Sequence, residues 1–282
     1  MRLLALVLAA QAGVATQLPP APVRVWTIRW QKQVVAPALL EWKARESGGP
    51  AVDATTGRVV IGTRDGWLRA YSAEGALAWE LEAAGRFEAP PRIDGDTVYA
   101  GSSDGFIYAV DLGSGKLRWK YDTQEEVGTT PATAGGLVLA MTLQDTLVAV
   151  DAKSGAWKWH HRREQREGFT IHGAASPVVA GPTAFGAYSD GTVAAVDLLS
   201  GAVQWERKVA PQGDFMDIDA LRAQGGRVYA TAYSGAIYAL DAQTGQQQWE
   251  VKTPAPSRLA LGGGMLVAVT NTQVLGIAPQ DG

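Results

Sequence analysis

By type, the residues of this chain best suited to chemistry are carboxylates and histidines in two short stretches. One holds Asp214, Asp217 and Asp219, a spacing that suggests oxygen ligands for calcium. The other holds His160 and His161, followed by the run Arg162-Arg-Glu-Gln-Arg-Glu167. Neither develops into a site. The aspartates lack the central glycine and terminal glutamate of a known calcium loop. Adjacent histidines on a strand point to opposite faces, so one metal ion does not reach both. The mixed signs of the run predict a solvated loop. Asp65-Gly66, Asp104-Gly105 and Asp190-Gly191 read as hairpin turns. No Ser-His-Asp order, phosphate loop or zinc spacing stands out. With no cysteine, disulfides, thiolate metal sites and a cysteine nucleophile are excluded. The expectation is therefore no catalytic residue, no metal and no cofactor. A net charge of −3 gives no electrostatic reason to expect nucleic acid or an anionic membrane.

What must position these residues is a repeat. Ala109-Val-Asp-Leu-Gly-Ser-Gly-Lys-Leu-Arg-Trp119 returns as 149–159, 195–205 and 239–249, with a shorter copy at 70–79 and a last one, 276–282, that stops at the turn. Trp79, Trp119, Trp159, Trp205 and Trp249 stand 40, 40, 46 and 44 residues apart. A period of that length built from strand-like units means a radial or stacked array of small sheets. The third unit reads as four strands joined by two- to three-residue turns, an antiparallel meander that exposes both faces unless neighbours cover it.

Each repeated residue has a mechanical reason. Gly115, Gly155, Gly201 and Gly245 occupy tight turns that need positive φ. Asp111, Asp151, Asp197 and Asp241 end the third strand, where a carboxylate accepts N–H bonds from the turn. The alanines two residues before them allow close approach of a facing sheet. The tryptophans are expected as wedges between sheets, each removing roughly 150–250 Å² from water, a gross gain of about 4–6 kcal/mol.

Six copies of the second-to-third-strand hairpin begin at Val59, Val98, Val138, Ala184, Val228 and Leu266. The sixth has no tryptophan strand after it, but Trp30 lies in an apolar stretch upstream of the first. The expected architecture is all-β, a β-propeller of about six four-stranded blades spanning 23–282 as one domain. A strand around Trp30, paired with the C-terminal hairpin, would close it and leave no free edge. Residues 1–15, with Arg2, the apolar run Leu3 to Ala10 and Ala10-Gln11-Ala12, read as a secretory signal, and 16–22 as a Pro-rich lead-in. That places the mature protein outside the cytoplasm.

The longer third and fourth spacings put surplus residues in two links between blades, Arg162 to Ala175 and Lys208 to Ala220. In a meander such links share one face, and these two adjoin the same blade. They carry Phe169-Thr-Ile-His-Gly173 and Asp214-Phe-Met-Asp-Ile-Asp219. Apolar groups beside charges on long surface links suit a protein-binding patch. A competing reading tucks Phe169, Ile171, Phe215 and Met216 into the blades beneath.

The pattern Ala-x-Asp-x-x-Ser/Thr-Gly-x-x-x-Trp resembles the tryptophan-docking repeat of quinoprotein-type β-propellers. From Phe169 to Gly282 the chain is more closely similar to the outer-membrane protein assembly factor family BamB. The carrying segments are Gly168-Phe-Thr-Ile-His-Gly-Ala-Ala-Ser-Pro177, Met216-Asp-Ile-Asp219 and Ala230-Thr-Ala-Tyr-Ser-Gly235. The resemblance implies a non-catalytic periplasmic scaffold that docks onto the periplasmic domains of the barrel-inserting BamA-like subunit and aids nascent outer-membrane proteins. Carried over, Phe169, Ile171 and His172 would form an apolar-plus-cation contact, and Asp217 with Asp219 its acidic half. Three departures stand out: His172 occupies a position the family typically fills with arginine, no lipid-anchoring cysteine follows the signal, and six blades replace eight. The alternatives are an interaction propeller with another partner and a pyrroloquinoline quinone-dependent dehydrogenase. The latter enzymes resemble an eight-bladed disc with a quinone, calcium and, in the alcohol enzymes, a vicinal disulfide. This chain has too few blades and no cysteine for that.

Overall fold

The computed structural model describes residues 27–35, 48–164, 175–209, 216–254, 256–270 and 272–282. They belong to two units, Met1–Gln31 and Lys32–Gly282. In the first, the described residues 27–31 carry no strand; Trp30 is half-buried. All strands lie in the second unit, and no helix occurs among the described residues.

The strands group into six antiparallel sheets in chain order. The first is β1 (Ala51–Val52), β2 (Val59–Gly62), β3 (Trp67–Tyr71) and β4 (Leu77–Glu82). The second is β5 (Arg92–Asp94), β6 (Thr97–Gly101), β7 (Phe106–Asp111) and β8 (Leu117–Asp122). The third is β9 (Ala132–Ala134), β10 (Leu137–Met141), β11 (Thr146–Asp151) and β12 (Trp157–Arg162). The fourth is β13 (Val178–Ala180), β14 (Thr183–Ala187), β15 (Thr192–Asp197) and β16 (Val203–Lys208). The fifth is β17 (Ile218–Gln224), β18 (Arg227–Ala232), β19 (Ala236–Asp241) and β20 (Gln247–Lys252). The last has three strands among the described residues, β21 (Pro256–Gly262), β22 (Met265–Thr270) and β23 (Val274–Ile277). These sheets are the blades of an all-β propeller. Residues 27–35 form no ladder, so the expected pairing of a strand around Trp30 with the last hairpin is not found among the described residues.

A meander this small cannot bury its own faces, and the apolar cores accordingly lie between blades. Val60, Leu68 and Trp79 of the first blade pack with Val98, Tyr108 and Leu112 of the second. Four further clusters join the second blade to the third, the third to the fourth, the fourth to the fifth and the fifth to the sixth.

The repeated tryptophan pins each blade to the next. Trp79 donates its indole N–H to the Leu112 carbonyl at 2.8 Å, Trp119 to Ala152 at 3.0 Å, and Trp159 to Leu198 at 3.0 Å. Trp205 reaches Ala242 at 3.1 Å and Trp249 reaches Pro279 at 3.3 Å. Trp79 and Trp159 are buried, and the other three are partly covered. The turn glycines have φ of 69–74°, as their turns require, but they also do something the sequence does not reveal. A Cβ on Gly115 would lie 2.6 Å from the Trp79 ring, and one on Gly201 would lie 2.6 Å from Trp159. Each glycine is thus the socket for the preceding blade's indole. The aspartates behave as expected: the Asp151 carboxylate accepts the N–H of Ser154 at 2.9 Å, and Asp111 accepts that of Ser114 at 2.7 Å.

Candidate functional site

The register of the blades fixes which turns share a face with the long links. Thr146 pairs with Arg162 at the end of β12, and Thr192 with Lys208 at the end of β16. The turn before Thr146 therefore sits where the first link departs, and the turn before Thr192 where the second does. Residues 165–174 and 210–215 lie outside the described residues, so Phe169, Ile171, His172, Asp214 and Phe215 do too. The ends of both links are described, and they converge. Ala175, Val209, Met216 and Ile218 are all buried in the one core between the fourth and fifth blades. Met216 thus tucks into the blades, as the competing sequence reading has it.

Beside this core lies a polar network centred on Arg163. Its Nη2 binds Asp190 Oδ2 at 2.9 Å and its Nη1 binds Glu206 Oε1 at 2.7 Å. Its guanidinium carbon stands 5.9 Å from the centre of the Tyr188 ring. The mixed signs of Arg162–Glu167 predict a solvated loop. Residues 165–167 lie outside the described residues; Arg162 ends β12, 60% exposed, and bridges Glu125 at 3.2 Å, whereas Arg163 is three-quarters covered. Its opposite charges sit on the next blade, so the local mixture of signs says little about its surroundings.

His160 and His161 do face opposite ways, His160 outward and His161 inward. Nε2 of His161 lies 3.1 Å from Glu206 Oε1, and Nδ1 meets the hydroxyl of Tyr188. A neutral ring satisfies both partners: Nε2–H donates to the carboxylate, and Nδ1 accepts the phenol proton. Burial holds the His161 pKa below its usual value, against the opposing pull of Glu206. Tyr188 is 1% exposed, and burial, then the charge of Glu206, pushes its pKa far up. A phenol so enclosed meets no substrate. Burial pushes Asp190 upward, but the hydrogen bonds from Arg163 and Thr192 outweigh it, and its pKa falls below the usual carboxylate value.

One residue here escaped the sequence reading. In the turns between second and third strands, Gly66, Gly105, Gly191 and Gly235 have φ of 81–98°. In the third blade that place is taken by Asp145, with φ 62°. A side chain in the left-handed region costs roughly 1–2 kcal/mol, and aspartate bears it better than most. Asp145 is 2% exposed. Its carboxylate accepts the N–H of Ser189 at 2.9 Å and the Ser189 hydroxyl, and its carbonyl accepts the N–H of Arg163 at 3.1 Å. It clamps the turn of the next blade and the start of the first link together. Burial raises its pKa, and the charges of Asp190 and Asp217 add to the rise. The visible signal was an aspartate standing where the aligned turns carry glycine.

The two acidic residues of the second link are placed differently. Asp217 is 5% exposed, and its carbonyl accepts the N–H of Tyr233 at 2.9 Å. Asp219 is half-buried and borders a channel between first strands. Among the described residues no cluster of three or more His, Asp or Glu side chains is placed to hold a metal ion, and no helix is long and apolar enough to cross a membrane.

Comparison with known proteins puts this arrangement in context. A family model described as outer membrane protein assembly factor BamB matches residues 23–115 and 64–282. The outer membrane protein assembly factor BamB of Moranella endobia is 28% identical over 248 residues, covering 85% of this chain and 53% of that protein. The one of Pseudomonas aeruginosa is 36% identical over 88 residues, 29% of this chain and 23% of its own. The chain thus spans about half the length, or less, of these relatives. The crystal structure of BamB from Moraxella catarrhalis superposes with a TM-score of 0.70 at 24% identity, covering 84% of this chain and 74% of that one. A computationally designed protein, Ika8, superposes with a TM-score of 0.67 at 17% identity over 83% and 69% of the two chains. These likenesses show the fold, which a designed chain shares; function has to be argued from the site.

Proposed function

This chain belongs to the family of the outer membrane protein assembly factor BamB, and we propose that it is a non-catalytic periplasmic scaffold that docks onto the barrel-inserting subunit of the outer-membrane assembly machinery and aids insertion of outer-membrane proteins. The observation that carries this reading is the convergence of the two long links. Both are rooted in one buried cluster, Ala175, Val209, Met216 and Ile218, and the Arg163 network braces the first where it leaves β12. Links anchored at their bases present their middles in a set orientation, which lowers the entropy lost on binding. Phe169, Ile171 and His172 are the contact residues in this reading, with Asp219 as an acidic neighbour. Asp217 is enclosed and shapes the root of the second link.

The test is capture of this chain by the purified periplasmic domains of a BamA-type subunit. Phe169→Ala with Ile171→Ala, and separately Asp219→Arg, should each weaken capture by about tenfold or more, the scale of losing a central contact. Equal capture of all variants with wild type would remove the site assignment. Absence of capture by wild type would favour another periplasmic partner.

A further inference from the structure

One channel borders all six blades at or just before their first strands. Gly49, Pro90, Thr130 and Ser176 line it from the first four blades, and the fifth and sixth supply the rest, Arg222 and Arg258 among them, around a space of about 590 Å³. That is within the range of small-molecule sites. Arg222, on β17, donates Nη1–H to the Leu221 carbonyl at 2.7 Å and makes no other hydrogen bond or ion pair among the described residues. Arg258, on β21 of the next blade, makes none among them. The other arginines lining interblade space have carboxylates or carbonyls to hold them: Arg163 has Asp190 and Glu206, and Arg118 has Asp96 and Asp111.

We propose that this channel binds a small oxyanion, a compound bearing carboxylate or phosphate groups, held by the guanidinium forks of Arg222 and Arg258. Each guanidinium presents five N–H donors in a plane that matches such groups two at a time. Arg222 and Arg258 are both exposed, so their guanidinium groups are open to a ligand entering the channel. In the lining from the neighbouring fourth blade, Ser176 Oγ accepts the N–H of Thr130 at 3.0 Å, and its own proton has no acceptor among the described residues. That hydroxyl is a further donor for the ligand. Among the described lining residues the charged groups are these two guanidinium groups and the Asp219 carboxylate, so positive charge is in excess. A site of this balance takes a small anion and disfavours a cation or a long polyanion.

The test uses the chain without a docking partner and varies only the two arginines, so its outcome does not depend on the docking reading. Calorimetric titration of the full chain at low ionic strength would use inorganic phosphate, pyrophosphate and citrate as probes. The expected result is one site per chain for at least one probe. Its Kd should rise about tenfold or more in Arg222→Gln and in Arg258→Gln, and stay unchanged in Arg162→Gln, whose side chain lies outside the channel. Citrate against phosphate separates a carboxylate ligand from a phosphate one. Circular dichroism checks that each variant is folded. No binding of any probe to wild type below about 10 mM, or the same Kd in all variants, would overturn the proposal.

Discussion

The indole N–H of Trp159 donates to the carbonyl of Leu198 at 3.0 Å, while the same ring fills the space a side chain on Gly201 would need. Hydrogen bond and close contact come from one hairpin of the following blade. Gly201→Ala should therefore combine a left-handed backbone cost with a clash against the ring, about 2–4 kcal/mol in all. Gly225 has φ 59° and nothing within 4 Å of where an added methyl group would stand, so Gly225→Ala should carry the backbone cost alone, about 1 kcal/mol. Denaturant midpoints of the two variants measure the difference, and equal losses would refute the socket.

Asp145→Asn tests the buried clamp. The folded-state pKa of Asp145 is raised, so its contribution to stability is present below the unfolded value and is lost as pH rises through the folded one. At neutral pH the wild-type chain therefore holds a disfavoured buried charge. Asparagine keeps an acceptor for Ser189 and tolerates the left-handed backbone. The variant should unfold at higher urea than wild type at pH 7.5, and the gap should narrow towards pH 4.

His161 has the opposite sign. Its folded pKa is lowered, so the unfolded chain takes up a proton first as pH falls below about 6.5. Stability from the neutral ring is full above that pH and is lost as pH falls towards the folded value. Groups facing it are Glu206, Arg163, His160 and Tyr188. His161→Gln can still bond Glu206 and Tyr188 without titrating. Urea midpoints at pH 7.5 and 5.5 should fall less in the variant than in wild type.

Arg163→Met removes the guanidinium shared by Asp190 and Glu206, leaving Asp190 only its bond from Thr192 and Glu206 its contact with His161. Asp190 is 16% exposed, so the loss should reach about 2–3 kcal/mol, below that of a fully buried pair. Arg162→Met removes a pair whose arginine is 60% exposed and should lose less than about 1 kcal/mol. Equal losses at the two positions would mean the network does not brace the link.

The propeller was legible because its working parts recur. Trp119, Gly155 and Asp151 serve the same contacts as Trp159, Gly201 and Asp197, and a residue type that returns at a fixed period declares its role. The site was less legible because its parts occur once. Arg163 meets Asp190 and Glu206 only after the chain has built a further blade, so the signs next to Arg163 in sequence were a poor guide. Asp217 looked like a surface acid beside Asp219 from composition, but the alternation of a strand entrance sent one beneath the turns and the other to the channel. The left-handed Asp145 was hidden in a turn that reads as ordinary until it is laid against its four glycine counterparts.

Each of the five repeat tryptophans fits a hole made later in the chain: Trp79 waits for Leu112, Trp119 for Ala152, Trp159 for Leu198. During synthesis the newest indole therefore always emerges from the ribosome before its seat exists, with 33 to 39 residues still to be made in these three cases. A nascent chain halted between a repeat tryptophan and its acceptor, as between Trp119 and Ala152, shows water one uncovered tryptophan strand at its growing end. Stalling and truncation should thus be read out as stickiness, one blade at a time.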